Sequence, residues 1–148
     1  MAAHILRGTI LSALLAVAIG CSRPAGHERF IPAEDKARQS LEQALAAWQR
    51  GKAGGPVEGT ASPVVQFVDS HHKPNQRLRS FNVLGLAPGD GPRVFTVKLA
   101  LENPGEEIKA RYVVVGLDPL WVIRQEDFDM LAHWDHPMPA GQGKSSRP

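Results

Sequence analysis

The stretch Arg93-Val94-Phe95-Thr96-Val97-Lys98-Leu99-Ala100-Leu101-Glu102 decides the fold. Phe95, Val97, Leu99 and Leu101 alternate with Val94, Thr96, Lys98 and Ala100. A period of two with one oilier face is the signature of a half-buried β-strand. Asn103, Pro104 and Gly105 follow, residues that favour a reversal of the chain, and Ile108 to Gly116 is again rich in β-branched and aromatic side chains. The two runs are expected to form an antiparallel hairpin. Its inward positions would be Phe95, Val97, Leu99, Ile108, Ala110, Tyr112 and Val114, nearly all apolar.

Strand signals continue on both sides of this hairpin. Upstream, Val64 to Asp69 is a short candidate, and Arg77 to Leu86 a longer one whose imperfect alternation suggests a bulge or a sheet edge. Downstream, Asp118 and Pro119 interrupt the chain, Leu120 to Arg124 resumes as a last strand, and Gln125 to Ala132 reads as a short helix. Lys52 to Pro63, with Gly54, Gly55, Gly59, Pro56 and Pro63, reads as loop.

Ahead of all these strands lies one segment of helical period. Ala37, Leu41, Ala44, Leu45 and Trp48 share a face over Ala33 to Arg50, with Pro32 before the first turn, Glu34 and Asp35 at the positive end and Gly51 as the stop. The fold class expected is therefore α+β: one long N-terminal helix packed on a four- to five-stranded antiparallel sheet, with a short C-terminal helix, in two layers. This order of helix and then sheet over Pro32 to Leu131 resembles the cystatin-like group, which includes the nuclear transport factor two-like and polyketide cyclase-like domains. The resemblance is one of pattern and implies a curled sheet. It does not assign a function.

The first twenty residues are of another kind. Arg7 supplies a basic start, and Ile10 to Ile19 form an almost unbroken apolar run. Gly8 to Gly20 offers 13 residues, against about 20 needed to cross a bilayer as a helix. The run ends in Ala18-Ile19-Gly20-Cys21, and Cys21 is the chain's one cysteine, so an internal disulfide is excluded. This ending resembles the lipobox of bacterial lipoproteins, in which a diacylglycerol is attached to the cysteine and the leader is cut before it. The resemblance implies a signal peptide over 1–20, lipidation at Cys21, a lipidated tether over 21–31 and a folded domain over 32–133. A Pro-, Gly- and Ser-rich tail over 137–148 is expected to be disordered. The partner so implied is a membrane, reached through lipid on Cys21 from the periplasmic or exterior side.

Composition limits function by exclusion. At 148 residues with 43% hydrophobic and 22% charged residues, the chain is ordinary for one globular domain. The net charge is +2, and Lys and Arg are interleaved with Asp and Glu rather than gathered in a stripe, which argues against nucleic acid as a partner.

No catalytic residue and no cofactor are assigned. Asp69, Ser70, His71 and His72 stand together, but adjacent residues do not make a triad, and with Lys73, Pro74 and Asn75 following they read as a solvated loop. His133 and His136 have a ligand-like spacing but are too few for a metal site, and no metal is expected. Around the last hairpin, Tyr112, Asp118, Trp121 and Arg124 are the residues to hold a ligand if the domain binds one. Their simpler roles are core and sheet cover for Tyr112 and Trp121, a turn cap for Asp118, and an ion pair at the sheet edge for Arg124. Two function classes stay open: a non-catalytic binding module facing an envelope protein or peptide, and a small-ligand carrier or enzyme of the polyketide cyclase-like type.

Overall fold

Pro32 is buried, and from Glu34 the chain turns into helix α1, Glu34–Gln49. This computed structural model describes residues 29–135. No side chain caps the start of α1, but Glu34 and Asp35 in its first turn face the positive end of the helix dipole. Ala37, Leu41, Ala44, Leu45 and Trp48 form its buried stripe, and Ser40, also buried, satisfies its hydroxyl on the Lys36 carbonyl at 2.9 Å. Gly51, at φ 99, reverses the chain, and its N–H donates to the Trp48 carbonyl at 2.8 Å. A left-handed glycine in this position is a standard way to end a helix.

Six strands follow: β1 Gly55–Pro56, β2 Val65–Val68, β3 Arg77–Leu86, β4 Arg93–Glu102, β5 Glu106–Val115 and β6 Leu120–Arg124. They form one sheet in the order β1-β2-β6-β5-β4-β3. A second helix, α2, spans Gln125–Asp135. The class is α+β. The sheet differs from the expected one in two respects: it has six strands instead of four or five, and it is mixed, because β2 runs parallel to β6. Side-chain alternation carries no information on the direction of a neighbour, and β1 is only two residues long inside a Gly- and Pro-rich segment, so neither feature has a local signature. β3 is an edge strand with register shifts at Leu78/Ser80 and Val83/Gly85.

The core lies between α1 and one face of the sheet. Phe95, Val97, Leu99, Ala110, Tyr112, Val114, Leu120 and Val122 join the α1 stripe there, together with Phe67 of β2. Each large apolar side chain so buried contributes about 1.5–3 kcal/mol. Val113 and Ile123 alternate to the opposite face, where they are also buried, and α2 packs on β5 and β6. The outer face is thus covered at Val113 and Ile123, whereas Lys98 of β4 and Lys109 and Arg111 of β5 are exposed. No helix among the described residues is long and apolar enough to cross a membrane.

Candidate functional site

Two of the four residues singled out around the last hairpin meet inside the protein. Tyr112 and Arg124 are register partners on β5 and β6 and share the α1 face. The parallel pairing of β2 with β6 sets Val68 opposite Ile123, so Asp69, one residue on, reaches Arg124. Tyr112 Oη donates to Asp69 Oδ2 at 2.7 Å, and Arg124 Nη1 lies 3.5 Å from the same oxygen. Arg124 directs Nε and Nη2 onto Glu126 at 2.8 and 3.3 Å. The other Asp69 oxygen accepts the His71 backbone N–H at 2.9 Å. β6 lies inside the sheet, so the Arg124 ion pair is not at an edge as the sequence suggests.

This cluster is a fastening. Burial, and after it the charge and hydrogen bond of Asp69, pushes the Tyr112 phenol well above its ordinary range, so it keeps its proton. Burial acts to raise the Glu126 carboxyl, but the Arg124 hydrogen bond and charge outweigh this and hold it below the usual range. Ser70 donates its backbone N–H to Asp127 Oδ2 at 2.9 Å and its hydroxyl to Asp127 Oδ1, and His71 Nε2 stands 3.6 Å from that oxygen. Asp69 and Asp127 are buried whereas Ser70 and His71 are exposed, so the segment 69–72 is a surface loop, as its composition suggests, with one buried anchor. It is pinned to the first turn of α2. A triad would need the Ser70 hydroxyl on an imidazole nitrogen, and here it is bound to a carboxylate.

The other two residues, Asp118 and Trp121, face a different place. Asp118 Oδ1 accepts the Val64 backbone N–H at 3.2 Å, and Leu120 N–H donates to the Val64 carbonyl at 2.8 Å. These bonds hold the 116–119 turn against the start of β2. Gly116 adopts φ 93 and donates its N–H to the Phe30 carbonyl at 2.7 Å, which ties the chain before α1 to the same turn. The result is an open apolar groove of about 890 Å³. Phe30, Leu117 and Trp121 line it together with Phe128 and Leu131 of α2. Trp121 is 40% exposed, Leu117 56% and Leu131 58%, so Trp121 is not the sheet cover its residue type suggests. Phe30 and Ile31, assigned from the sequence to the tether, both line the groove.

Sequence reasoning missed Phe30, Leu117, Phe128 and Leu131. The spacing of Phe128, Leu131 and Ala132 is a helical face, and it was the one signal available for them. The groove takes residues from three separate segments, and only the tertiary fold brings these together.

Among the described residues no cluster of three or more His, Cys, Asp or Glu could hold a metal ion. His133 Nδ1 is within 2.8 Å of the Asp129 carbonyl, in its own helix. Cys21, His136 and the 137–148 tail lie outside the described residues. Comparison of the chain with protein families, with curated proteins and with solved structures returns no match.

Proposed function

We propose that this chain is a lipoprotein of the bacterial cell envelope, cut before Cys21 and held at a membrane by diacylglycerol on that residue. Its domain, a cystatin-like layer of helix on sheet, serves as a non-catalytic binding module for another envelope polypeptide. The observation that carries the binding reading is the groove. Trp121, Leu117 and Leu131 stand together in water at 40–58% exposure beside a concave apolar surface, and aromatic anchors in such places are the usual centre of protein recognition. The polar groups nearest in sequence, Tyr112 and Arg124, are buried on the other face with their partners in place. They support a rigid frame for the groove rather than a reaction.

Anchoring rests on the leader ending Ala18-Ile19-Gly20-Cys21. Two acyl chains hold a protein at a bilayer firmly, at about 0.8 kcal/mol per buried CH₂, whereas one chain binds only marginally. Cys21→Ala should abolish labelling by a fatty-acid precursor, and undiminished labelling would sink the lipoprotein reading. For the groove, native mass spectrometry of the full-length protein, gently extracted from its own membrane, should show an added polypeptide mass that Leu117→Asp loses. Extraction that yields no such mass, or one that Leu117→Asp retains, rules out the groove as the binding surface.

A further inference from the structure

The outer face of the sheet, away from α1, is apolar at one end and basic at the other. Val115, Val113, Arg111 and Lys109 follow one another at alternate positions of β5, and they turn away from the α1 core that holds Ala110, Tyr112 and Val114. At about 3.4 Å per residue this row is about 20 Å long. Val115 lines the groove together with Trp121 and Ile123 of β6. On β4 the matching row is Val94 opposite Val113, Thr96 opposite Arg111 and Lys98 opposite Lys109. The apolar floor is thus continued along the strands by a basic tract, in which Lys98, Lys109 and Arg111 are exposed.

This tract carries more positive charge than its own carboxylates answer. Glu107 bonds to Lys98 at 2.8 Å, and Glu102 stands across from Arg77. Arg79 is near enough to help Lys98 hold the Glu107 carboxyl below its usual range. Arg79, Lys109 and Arg111 are then left without a carboxylate of their own on this face. Lys98 and Lys109 are moreover direct cross-strand partners, and like charges so placed destabilise a sheet. Among the described residues Asp118 is the one charged side chain lining the groove, and it lies at the opposite end, where its Oδ1 accepts the Val64 N–H. On α2, Glu126 is tied to Arg124, and Asp129 is exposed, so the positive side of these surroundings is that of β4 and β5.

We propose that the polypeptide held in the groove is an amphipathic helix with carboxylates clustered at one end. Its apolar face lies on Trp121 and Leu117, and its acidic end reaches Arg111, Lys109 and Lys98. The proposal rests on the groove reading and adds the shape and charge of the partner. A helix fits because β5 and β6 are both interior strands, so an extended segment would find no free edge to bond with, whereas a helix satisfies its own backbone. A row of about 20 Å matches about 13 helical residues. A second copy of this chain fits poorly, since a two-fold pair would set these cations against one another or against the other copy's apolar groove. The 137–148 tail carries Lys144 and Arg147 and no acid. A bilayer surface is flat and leaves a concave groove unfilled.

The test uses the full-length protein in a neutral detergent and two dye-labelled helical peptides of about 13 residues, alike in a leucine face and ending in glutamates or in lysines. Leu117→Asp measures what the detergent alone takes up. Fluorescence anisotropy should show the glutamate peptide bound at least about tenfold more tightly than its lysine twin, a difference that shrinks with added salt. The double variant Lys109→Glu with Arg111→Glu, changed at exposed side chains, should melt with the parent and reverse the preference. Carbodiimide, which joins carboxylates to amines in contact, should link the glutamate peptide to Lys109 or Lys98. Equal binding of both peptides, lost in Leu117→Asp, leaves the groove reading intact and overturns the acidic partner, as does a preference that the double variant leaves in place. Neither peptide bound above the Leu117→Asp level overturns both readings. A dimer in native mass spectra that Leu117→Asp dissociates gives the groove to a second copy and overturns the acidic partner. Displacement of the glutamate peptide by phosphatidylglycerol bicelles gives the face to a membrane and does the same.

Discussion

Tyr112→Phe isolates the central fastening, because it removes one oxygen and leaves the ring. The ring is fully buried and packs on Phe67 with centroids 6.0 Å apart, so no cavity is made beyond the space of the hydroxyl. The lost interaction is a 2.7 Å hydrogen bond to Asp69, whose side chain has no exposed surface. Hydrogen bonds to charged groups contribute about 1.5–3 kcal/mol. Asp69 keeps Arg124 at 3.5 Å and the His71 N–H at 2.9 Å, which places the expected loss toward the middle of that range, about 2 kcal/mol. At roughly 4–8 °C per kcal/mol for a domain near 100 residues, the melting temperature should fall by about 8–16 °C. Circular dichroism on the purified domain measures this directly. Arg124→Met should cost more, about 3–5 kcal/mol, since it leaves a buried carboxylate with no cation beside it. A Tyr112→Phe protein that melts with the parent would mean that the hydroxyl and Asp69 are not joined in solution, and the fastening argument would fail.

Alkaline titration examines the same bond from its proton. Tyr112 is the chain's only tyrosine, so tyrosinate absorbance reports on it alone. Its folded pKa is raised above the 10.0 of the free group, so its contribution to stability is fully present below pH 10.0 and is lost as pH rises toward the folded value. Tyrosinate should appear together with loss of the circular dichroism signal, whereas a reversible titration near pH 10.0 in the folded protein contradicts the buried placement. Gly116→Ala tests the turn at the groove. A Cβ there would lie 2.5 Å from the Pro119 carbonyl oxygen on a backbone at φ 93, so a loss of about 1–3 kcal/mol from the backbone alone is expected in thermal unfolding, with a change in Trp121 emission. Unaltered stability would show that the turn is not held as described. The orientation at a membrane is open to spin labelling, since Cys21 is the sole native cysteine. Ten-residue strands of about 33 Å separate the groove, beside Phe30, from the β4–β5 turn. With lipid on Cys21, a label at Leu117→Cys should be relaxed by a nickel-chelating lipid more strongly than one at Gly105→Cys, and the reverse order would refute attachment through the N-terminal tether.

What was legible in the sequence is what neighbouring residues decide among themselves. The alternation of Phe95, Val97, Leu99 and Leu101 identifies β4 with its inward face, and Asn103-Pro104-Gly105 identifies the reversal into β5. Both are fixed by side-chain periodicity and turn chemistry over a few residues. The irregular pattern of Arg77 to Leu86 suggests a bulge or an edge position for the same reason, and β3 is an edge strand with two register shifts. The candidate sites were legible only in part, because a pairing between residues more than fifty positions apart builds them. Setting β2 parallel to β6 brings Val65 opposite Leu120 and Val68 opposite Ile123. That single register carries Asp69 to Arg124 and Tyr112 at one end of β6, and Val64 to Asp118 at the other. Tyr112, Asp118, Trp121 and Arg124 are neighbours in sequence, yet the fold divides them between a buried cluster and an open groove. Along β6, Leu120, Val122 and Arg124 turn to α1 while Trp121 and Ile123 turn to α2. A period of two places Trp121 and Arg124 on opposite faces, and that much could be read from the chain alone. Which face is wet could not, since it depends on how far α2 covers the outer side, and α2 stops short of Trp121.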